Sequence, residues 1–258
     1  MTLPLLFFGH GSPMNALQST TLTQSWARQI PAQPPAAILM ISAHWFTQGT
    51  AVTAQTHPAT VHDFFGFPDL LQQFQYPAPG HPGLADRIAA LLAPHPVRLS
   101  TDWGLDHGSW SVLTHLYPDA TVPVVQLSLD AGLSASQHLA LASQLRPLRD
   151  QGVLIMASGN LVHNLRLLRW HSEKVPGWAL DFIRPVRHWI EQRQFDQVAN
   201  YQQLGDVAQL AVPHPDHFLP LLYVLGASTE QDRLCWFNDQ FEHEALSMLS
   251  LRFDAVSA

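Results

Sequence analysis

Cysteine is almost absent from this 258-residue chain, and positive charge is scarce. The single cysteine, Cys235, excludes a disulfide framework and any metal site built from several thiolates. Thirteen Lys and Arg residues against twenty Asp and Glu residues give a formal net charge of −7. Because binding to nucleic-acid phosphates needs a basic face, this balance argues against a nucleic-acid partner.

Long apolar runs and targeting signals are also missing from the sequence. No apolar run reaches the roughly 18 residues that a membrane-spanning helix needs, so we expect no membrane contact. Residues 1–8 are apolar, but they lack the basic region and the small-residue cleavage site of a signal peptide. We therefore expect a cytoplasmic protein, and a monomer and a homodimer both remain open.

Histidine, by contrast, is abundant: there are 15 histidines, more than all Lys and Arg residues together. Apolar residues make up 47% of the chain and charged residues 13%, which excludes a disordered protein. A length of 258 residues suits one large domain. Since histidine is the commonest metal ligand and the usual acid or base at neutral pH, the counts favour a metal enzyme.

Buried strands alternate with amphipathic helices along the chain. The apolar runs predict strands at residues 3–8, 37–42, 122–129 and 153–157 and a last strand at 246–253, and the 3.6-residue periodicity predicts helices at 83–92, 134–148, 178–195 and 214–225. Ser134 is a candidate N-cap and Gly152 a candidate C-cap glycine. The pattern predicts a single α/β domain with a mostly parallel central sheet flanked by helices, and a ligand site at the strand carboxyl ends.

Histidines stand where these strands end. His10, His44 and His163 each follow a predicted strand, while His107 opens one helix and His217 lies near the start of another. Most single histidines lie on the surface or have satisfied nitrogens in a core, and we interpret His57, His62, His81, His95, His115, His138, His171, His188 and His243 in that way. His10, His44, His163 and His217 are expected at one sheet edge, which favours a functional cluster. His107 is an intermediate candidate, and the role of His214 stays open.

Other catalytic signatures are missing. The sequence contains neither the Gly-x-Ser-x-Gly elbow of a serine hydrolase nor a phosphate-binding loop. It also lacks the Gly-x-Gly-x-x-Gly fingerprint of dinucleotide binding and the His-Glu-x-x-His helix of zinc proteases. The strand-end histidines are therefore the strongest functional signal.

Five motifs in order carry a resemblance to a known family. They are Phe8-Gly9-His10-Gly11-Ser12-Pro13-Met14-Asn15, Ser42-Ala43-His44-Trp45-Phe46, Asp106-His107-Gly108-Ser109-Trp110, Ala157-Ser158-Gly159-Asn160-Leu161-Val162-His163-Asn164 and Asp216-His217-Phe218-Leu219-Pro220. With these motifs the sequence resembles the class III extradiol ring-cleaving dioxygenases, in particular the bacterial 4,5-DOPA dioxygenase subgroup. Shorter pieces, Val61-His62-Asp63-Phe64 and Tyr76-Pro77-Ala78-Pro79-Gly80, also look like this subgroup.

The resemblance implies a role for each clustered histidine. His10, His44 and His217 would be metal ligands, and His163 would be the catalytic acid/base and a fourth ligand when zinc is bound. His107 would contact the substrate and take part in catalysis. Six aromatic side chains either wall a substrate pocket or belong to the core: Trp45, Phe46, Phe64, Phe65, Trp103 and Trp110. Of these, Trp110 is predicted to bind substrate.

The resemblance also implies the metal, the substrates and the extent of the catalytic domain. Fe(II) would be the catalytic metal, and zinc is expected in purified or crystallised protein, because imidazole suits both ions. Many relatives in the wider class use a glutamate as the third ligand, whereas this chain offers His217. The substrates would be a catechol such as DOPA and O2, the product a muconic semialdehyde, and residues 1–258 one catalytic domain.

Two other functions stay open at this point. A zinc-dependent hydrolase would use a zinc-bound water in place of O2. A non-enzymatic binding protein of the Memo type would share the scaffold, although such a protein has no need for an acid/base beside a metal. Arg166 is a candidate partner for a substrate carboxylate, and its position cannot be derived from the sequence.

Overall fold

The computed structural model describes residues 2–170, 172 and 174–256. His171, one of the histidines interpreted as having no functional role, lies outside the described residues. The strands are β1 (Leu5–Gly9), β2 (Ala37–Thr47), β3 (Thr50–Thr53), β4 (Val97–Ser100), β5 (Val124–Asp130), β6 (Val153–Gly159), β7 (Arg233–Phe237), β8 (Phe241–Glu242), β9 (Leu246–Ser247) and β10 (Ser250–Asp254).

Helices connect these strands. They are α1 (Thr21–Ala27), α2 (Asp69–Gln72), α3 (Pro82–Leu91), α4 (His107–Leu116), α5 (Ala135–Ser143), α6 (Gly177–Glu191), α7 (Phe195–Ala199), α8 (Asp206–Ala211) and α9 (Leu219–Ala227). Shorter 3-10 turns span Pro13–Leu17, Arg146–Gln151, Leu165–Leu167, Tyr201–Leu204 and Pro215–His217.

Eight strands form one sheet in the order β4-β3-β5-β2-β6-β1-β10-β7. The centre of the sheet, β5-β2-β6-β1, is parallel throughout, and the antiparallel pairs lie towards the two edges. Crossover helices are needed to join parallel neighbours. The predicted fold class, a single α/β domain with a mostly parallel sheet flanked by helices, is confirmed.

The central strands are apolar on both faces because both faces are covered. In β1, Leu5 and Phe7 belong to one core cluster with α3 and α5 to α9, whereas Leu6 and Phe8 belong to a second cluster with α1 and α4. All four side chains are fully buried. The period of two along a strand sends alternate side chains to opposite faces, so a doubly covered strand has no polar face to show in its sequence.

Several predicted elements differ from the observed ones at their ends. Ser134 does cap α5, accepting from the Gln137 N–H in a capping box, but the helix ends at Ser143 rather than at 148. Gly152, at φ 78°, ends the 3-10 turn that follows. The predicted helix 178–195 corresponds to α6, which ends at Glu191, and a separate helix, α7, begins at Phe195. Short edge strands such as β4 were not predicted, because their mixed polarity gives no buried-strand signal.

The predicted helix at 214–225 is wrong at its start. His217 ends a 3-10 turn, and α9 begins only at Leu219. Pro220 has no N–H to donate to the Asp216 carbonyl, and the loss of this helical hydrogen bond favours a break at this point. The predicted strand 246–253 is likewise divided into β9 and β10.

The end of β6 is tightly joined to the turn that carries His217. Asn160 N–H donates to the His217 carbonyl oxygen at 2.8 Å, and His10 N–H donates to the Gly159 carbonyl oxygen at 3.1 Å. A Cβ at Gly159 would lie 2.2 Å from the His217 carbonyl oxygen, which no real side chain tolerates. Glycine is therefore required here for close backbone approach, and the contact ties β1, β6 and the His217 turn together.

We expect Gly159→Ala to destabilise the protein by about 1–3 kcal/mol, since the added methyl forces the two backbones apart. Chemical denaturation measures this difference. Gly177→Ala is the matched control, because nothing lies within 4 Å of the Cβ it would add. Equal unfolding free energies for Gly159→Ala and wild type would show that the junction is not tightly packed.

Candidate metal centre and its cavity

Five histidines from separate parts of the chain meet beyond the central strands. His10 follows β1 directly, His44 lies near the end of β2, and His163 comes four residues after β6. His107 opens α4, and His217 ends its 3-10 turn. All five line one cavity. The structure thus brings together every histidine that the sequence had assigned to the cluster.

The position of His44 depends on an irregularity that the sequence did not predict. β2 continues to Thr47 instead of ending near Ser42. Its register against β5 shifts between Ile41 and Phe46, which is a bulge around His44. Bulges bend a strand and re-aim its side chains, and they are frequent beside active sites. The bulge therefore places His44 next to His10.

His10, His44 and His217 form a nearly equilateral triangle. Their ring centroids are 5.1 Å apart for His10 and His44, 5.4 Å for His10 and His217, and 5.0 Å for His44 and His217. The Nε2 atoms of His10 and His44 lie 3.0 Å apart. Two nitrogens at this separation can both reach one ion with bonds of about 2.0–2.1 Å. The His10 and His44 imidazoles are thus placed to share one metal ion.

The opposite nitrogen of each ring has its own partner. His44 Nδ1 lies 3.1 Å from Asp63 Oδ2, and His217 Nδ1 lies 3.0 Å from Asp216 Oδ1. A carboxylate can only accept, so both Nδ1 atoms carry the proton and both Nε2 atoms keep a lone pair for a metal. His10 Nδ1 is held 2.9 Å from Ser158 Oγ. These contacts are typical of imidazoles that bind metal through Nε2.

The pKa shifts of the groups around the cluster also favour metal binding. Burial raises the pKa of Asp63, but its hydrogen bonds to His107 and His44 outweigh burial and hold that pKa well below its usual range. The pKa of Asp216 is also lowered, against burial, by its hydrogen bond to His217. Burial and the neighbouring imidazoles lower the pKa of His10. Two ionised carboxylates, Asp63 and Asp216, therefore lie beside the imidazoles of the cluster.

His107 is the third histidine whose donor atoms lie close to those of His10 and His44. Donor atoms of His10, His44 and His107 all lie within 4.8 Å of one another. The His107 Nδ1 lies 3.0 Å from Asp63 Oδ2, and the His107 backbone N–H donates to Asp63 Oδ1 at 3.0 Å. The His44 and His107 rings are only 3.8 Å apart. The assignment of His217 as a ligand and His107 as a substrate contact stays a prediction.

A buried carboxylate fixes the helix that carries His107. Asp106 is the N-cap of α4, and its Oδ1 accepts from the Ser109 N–H at 3.1 Å. Its other oxygen accepts from the Gln126 amide of β5. Burial and the nearby Asp63 raise the pKa of Asp106. The cap therefore sets where α4 starts and where His107 stands.

His163 stacks directly on His217. Their ring centroids are 3.5 Å apart and the rings are within 5° of parallel. Burial, followed by the charge of His217, lowers the pKa of His163 to about 2. An acid/base works best when its pKa lies near the working pH, and the pKa of His163 lies far below that. The imidazole is neutral at pH 7 and can accept a proton.

The cavity beside the cluster has a volume of about 420 Å³, which suits a small aromatic molecule. Apart from the five histidines, it is lined by Gly11, Ser12, Pro13, Met14, Asp63, Phe64, Phe67, Leu165, Leu168, Trp170, His243 and Leu246. Most of these side chains are apolar. The cavity therefore combines a polar, metal-binding end with apolar walls.

Of the six predicted pocket aromatics, only Phe64 lines this cavity. Trp110 is fully buried behind it: the indole N–H donates to the Val61 carbonyl at 2.9 Å, and the ring stacks on Phe74. Its predicted substrate contact is untested, and the structure gives it a packing role behind His107. Phe65 is 95% exposed. Arg166 lines a smaller neighbouring pocket instead.

Functional residues that sequence reasoning missed come from loops. Asp63 was noted only within a family-like segment, although the carboxylate holds two histidines. His243 was interpreted as a surface or core histidine, yet it lines the cavity with Leu165, Leu168 and Trp170. No local periodicity marks a loop residue that reaches a site, so only the tertiary structure identifies these side chains.

Fold and site together define a metal-dependent α/β enzyme with an imidazole-rich centre at the carboxyl ends of a parallel sheet. The comparisons with known proteins name that class. Residues 5–254 match the family of the catalytic LigB subunit of aromatic ring-opening dioxygenase. The chain belongs to this family and is an extradiol ring-opening dioxygenase that acts on a small molecule and O2.

The relatives are similar along nearly their whole length. The chain is 46% identical to a 4,5-DOPA dioxygenase extradiol of Escherichia coli K12, covering 97% of this chain and 94% of that protein. It is 37% identical to a 4,5-DOPA dioxygenase extradiol of Beta vulgaris, covering 97% and 96%. A crystal structure of an uncharacterized Escherichia coli K12 protein aligns with a TM-score of 0.84 at 42% identity, covering 97% and 99%. Within the described part of the chain, every helix falls short of the length and apolarity needed to cross a membrane.

Removing the charge of Asp63 should weaken metal binding. We expect Asp63→Asn to lower the affinity for zinc by about 10- to 100-fold, because an amide no longer fixes the His44 tautomer. Competition with a chromogenic chelator measures the change. Asp86→Asn, at an exposed position of α3, is the matched control. An unchanged affinity in Asp63→Asn would show that Asp63 does not support the ligands.

Proposed function

We propose that this dioxygenase opens the ring of a catechol such as DOPA next to its two hydroxyl groups, giving a muconic semialdehyde. The observation that carries the proposal is the imidazole triangle of His10, His44 and His217 at the polar end of an apolar 420 Å³ cavity. Two relatives bear the name 4,5-DOPA dioxygenase extradiol, which supports DOPA as the first substrate to test.

His10, His44 and His217 would hold the metal, with Fe(II) as the catalytic ion and zinc expected in purified protein. The bound ion would favour the ionised catechol and bring it together with O2. The ligands are neutral imidazoles, but Asp63 and Asp216 place negative charge directly behind two of them. This arrangement makes the centre less positive than the ligand set alone implies, and it raises the basicity of His44 and His217.

His163 would accept a proton from the catechol and return it later in the reaction. Its imidazole is neutral, lines the cavity and is held parallel to His217, so its orientation relative to the metal ligands is fixed. His163 N–H donates to the Ala211 carbonyl at 2.9 Å, which anchors the backbone. His107 would contact the substrate from the other side of the cluster, held by Asp63.

The remaining expectations concern the whole molecule. We propose that residues 1–258 act as one catalytic domain in the cytoplasm, as a monomer or a homodimer, without nucleic-acid or membrane partners. The formal net charge of −7 supports the absence of a nucleic-acid partner. The match of residues 5–254 to a single family supports the single domain.

Oxygen uptake with an optical scan tests the proposed reaction. Apo-protein loaded anaerobically with Fe(II), and in parallel with zinc, is mixed with DOPA, protocatechuate or catechol in air. We expect O2 consumption and a new yellow absorbance that depend on iron. His10→Ala should abolish turnover through loss of a ligand, and His163→Ala should lower kcat by about 10²- to 10⁴-fold, the usual contribution of an acid/base.

His57→Ala, at an exposed histidine, is the control and should retain wild-type activity. Metal content is measured in every variant, so that loss of metal is separated from loss of acid/base function. Absence of O2 uptake with every catechol, while metal binds normally, would contradict the proposal. Hydrolysis supported by zinc without O2 would instead favour the hydrolase.

A further inference from the structure

The hairpin of β8 and β9 has an unusual turn. His243 has φ 54° and Glu244 has φ 63°, so two consecutive non-glycine residues lie in the left-handed region. The Ala245 N–H donates to the Glu242 carbonyl at 3.3 Å, which closes a four-residue turn. Turns of this kind strongly prefer Asn-Gly, because side chains with a Cβ are strained at positive φ.

Residues with a strained backbone persist where their side chains make contacts that the surrounding structure needs. Glu244 hydrogen-bonds to the Ser172 hydroxyl. His243 lines the metal cavity, and its ring lies 4.7 Å from that of Trp170. The backbone carbonyl of His243 accepts from the Arg169 N–H at 2.9 Å. The turn thus forms part of the cavity lining and is held there by its contacts with Arg169, Trp170 and Ser172.

This hairpin is fixed relative to the histidine cluster. Leu246 pairs with His163 in an isolated bridge, and Asn164 N–H donates to the Ala245 carbonyl at 3.1 Å. The hairpin and the segment at 165–170 together form what we call the loop wall of the cavity, consisting of Leu165, Leu168, Trp170, His243 and Leu246. The loop wall therefore keeps a constant position beside the acid/base candidate.

The loop wall has one side chain that can carry a positive charge and so attract an anion. Outside the metal cluster and Asp63, His243 is the only titratable side chain among the described residues that line the cavity. An imidazole N–H donates to a carboxylate, and such charge-assisted bonds are strong.

We propose that His243 is a specificity-determining residue that binds the carboxylate of a catechol's side chain while the ring lies among Phe64, Phe67 and Leu168. The inference rests on the proposed function and deepens it. It assigns the enzyme to catechols that carry an anionic tail, such as an amino acid, in preference to unsubstituted catechol.

The test is His243→Gly, which removes the imidazole and relieves the strained φ. We expect KM for DOPA to rise at least 10-fold, while kcat and KM for catechol stay within about 2-fold of wild type. The melting temperature should equal or exceed that of wild type, because glycine tolerates positive φ. A merely structural histidine would change stability without separating the two substrates.

Two further variants serve as controls. Ala120→Gly relieves a positive φ of 48° between α4 and β5 and should leave both substrates unaffected. Arg166→Gln tests the other candidate partner, which lines the neighbouring pocket with Arg169. If Arg166→Gln raises KM for DOPA and His243→Gly does not, the proposal is overturned. A parallel change for DOPA and catechol in His243→Gly would also overturn it.

Binding measurements separate this inference from the proposed reaction. Titration of zinc-loaded protein with DOPA and with catechol under nitrogen gives dissociation constants without turnover. A selective loss of DOPA binding in His243→Gly would support the inference even if no catechol is cleaved. Equal loss for both ligands, or no loss, would count against it.

Discussion

The site depends on one carboxylate that holds two imidazoles. Asp63 Oδ2 lies 3.1 Å from His44 Nδ1 and 3.0 Å from His107 Nδ1. Its other oxygen, Oδ1, accepts a hydrogen bond from the His107 backbone N–H. Unpaired, this largely buried charge would be unfavourable, but its partners keep it ionised. The same contact orients a predicted ligand and the neighbouring predicted substrate contact, so Asp63 couples the metal centre to the substrate side of the cavity.

The parallel sheet supplies the frame on which these contacts are made. β2, β6 and β1 are neighbours, and each delivers one histidine to the same edge. The bulge in β2 re-aims His44, and the absence of a Cβ at Gly159 lets the His217 turn approach β6. A doubly covered sheet is rigid because both faces are close-packed, and such rigidity suits a site that must hold several imidazoles in a fixed arrangement.

Polar and apolar requirements are met by different parts of the chain. The strand ends and the first residues of α4 supply imidazoles and carboxylates, whereas the loops around 64–67 and 165–170 supply apolar walls. Trp110 is not part of these walls: it is fully buried and supports Phe64 and His107 from behind. Loops can change without disturbing the sheet, and they are therefore the natural place for substrate selection beside the metal centre.

The sequence by itself determined the α/β class, the central strands and the five histidines of the cluster. Continuous apolar runs and histidines at their ends are local signals, and parallel strands bring their carboxyl ends to one edge. Only the tertiary structure decided that His217 lies in a 3-10 turn, that Trp110 packs behind the cavity and that Asp63 and His243 face into it. These features arise from contacts between residues distant in sequence, which no local pattern records.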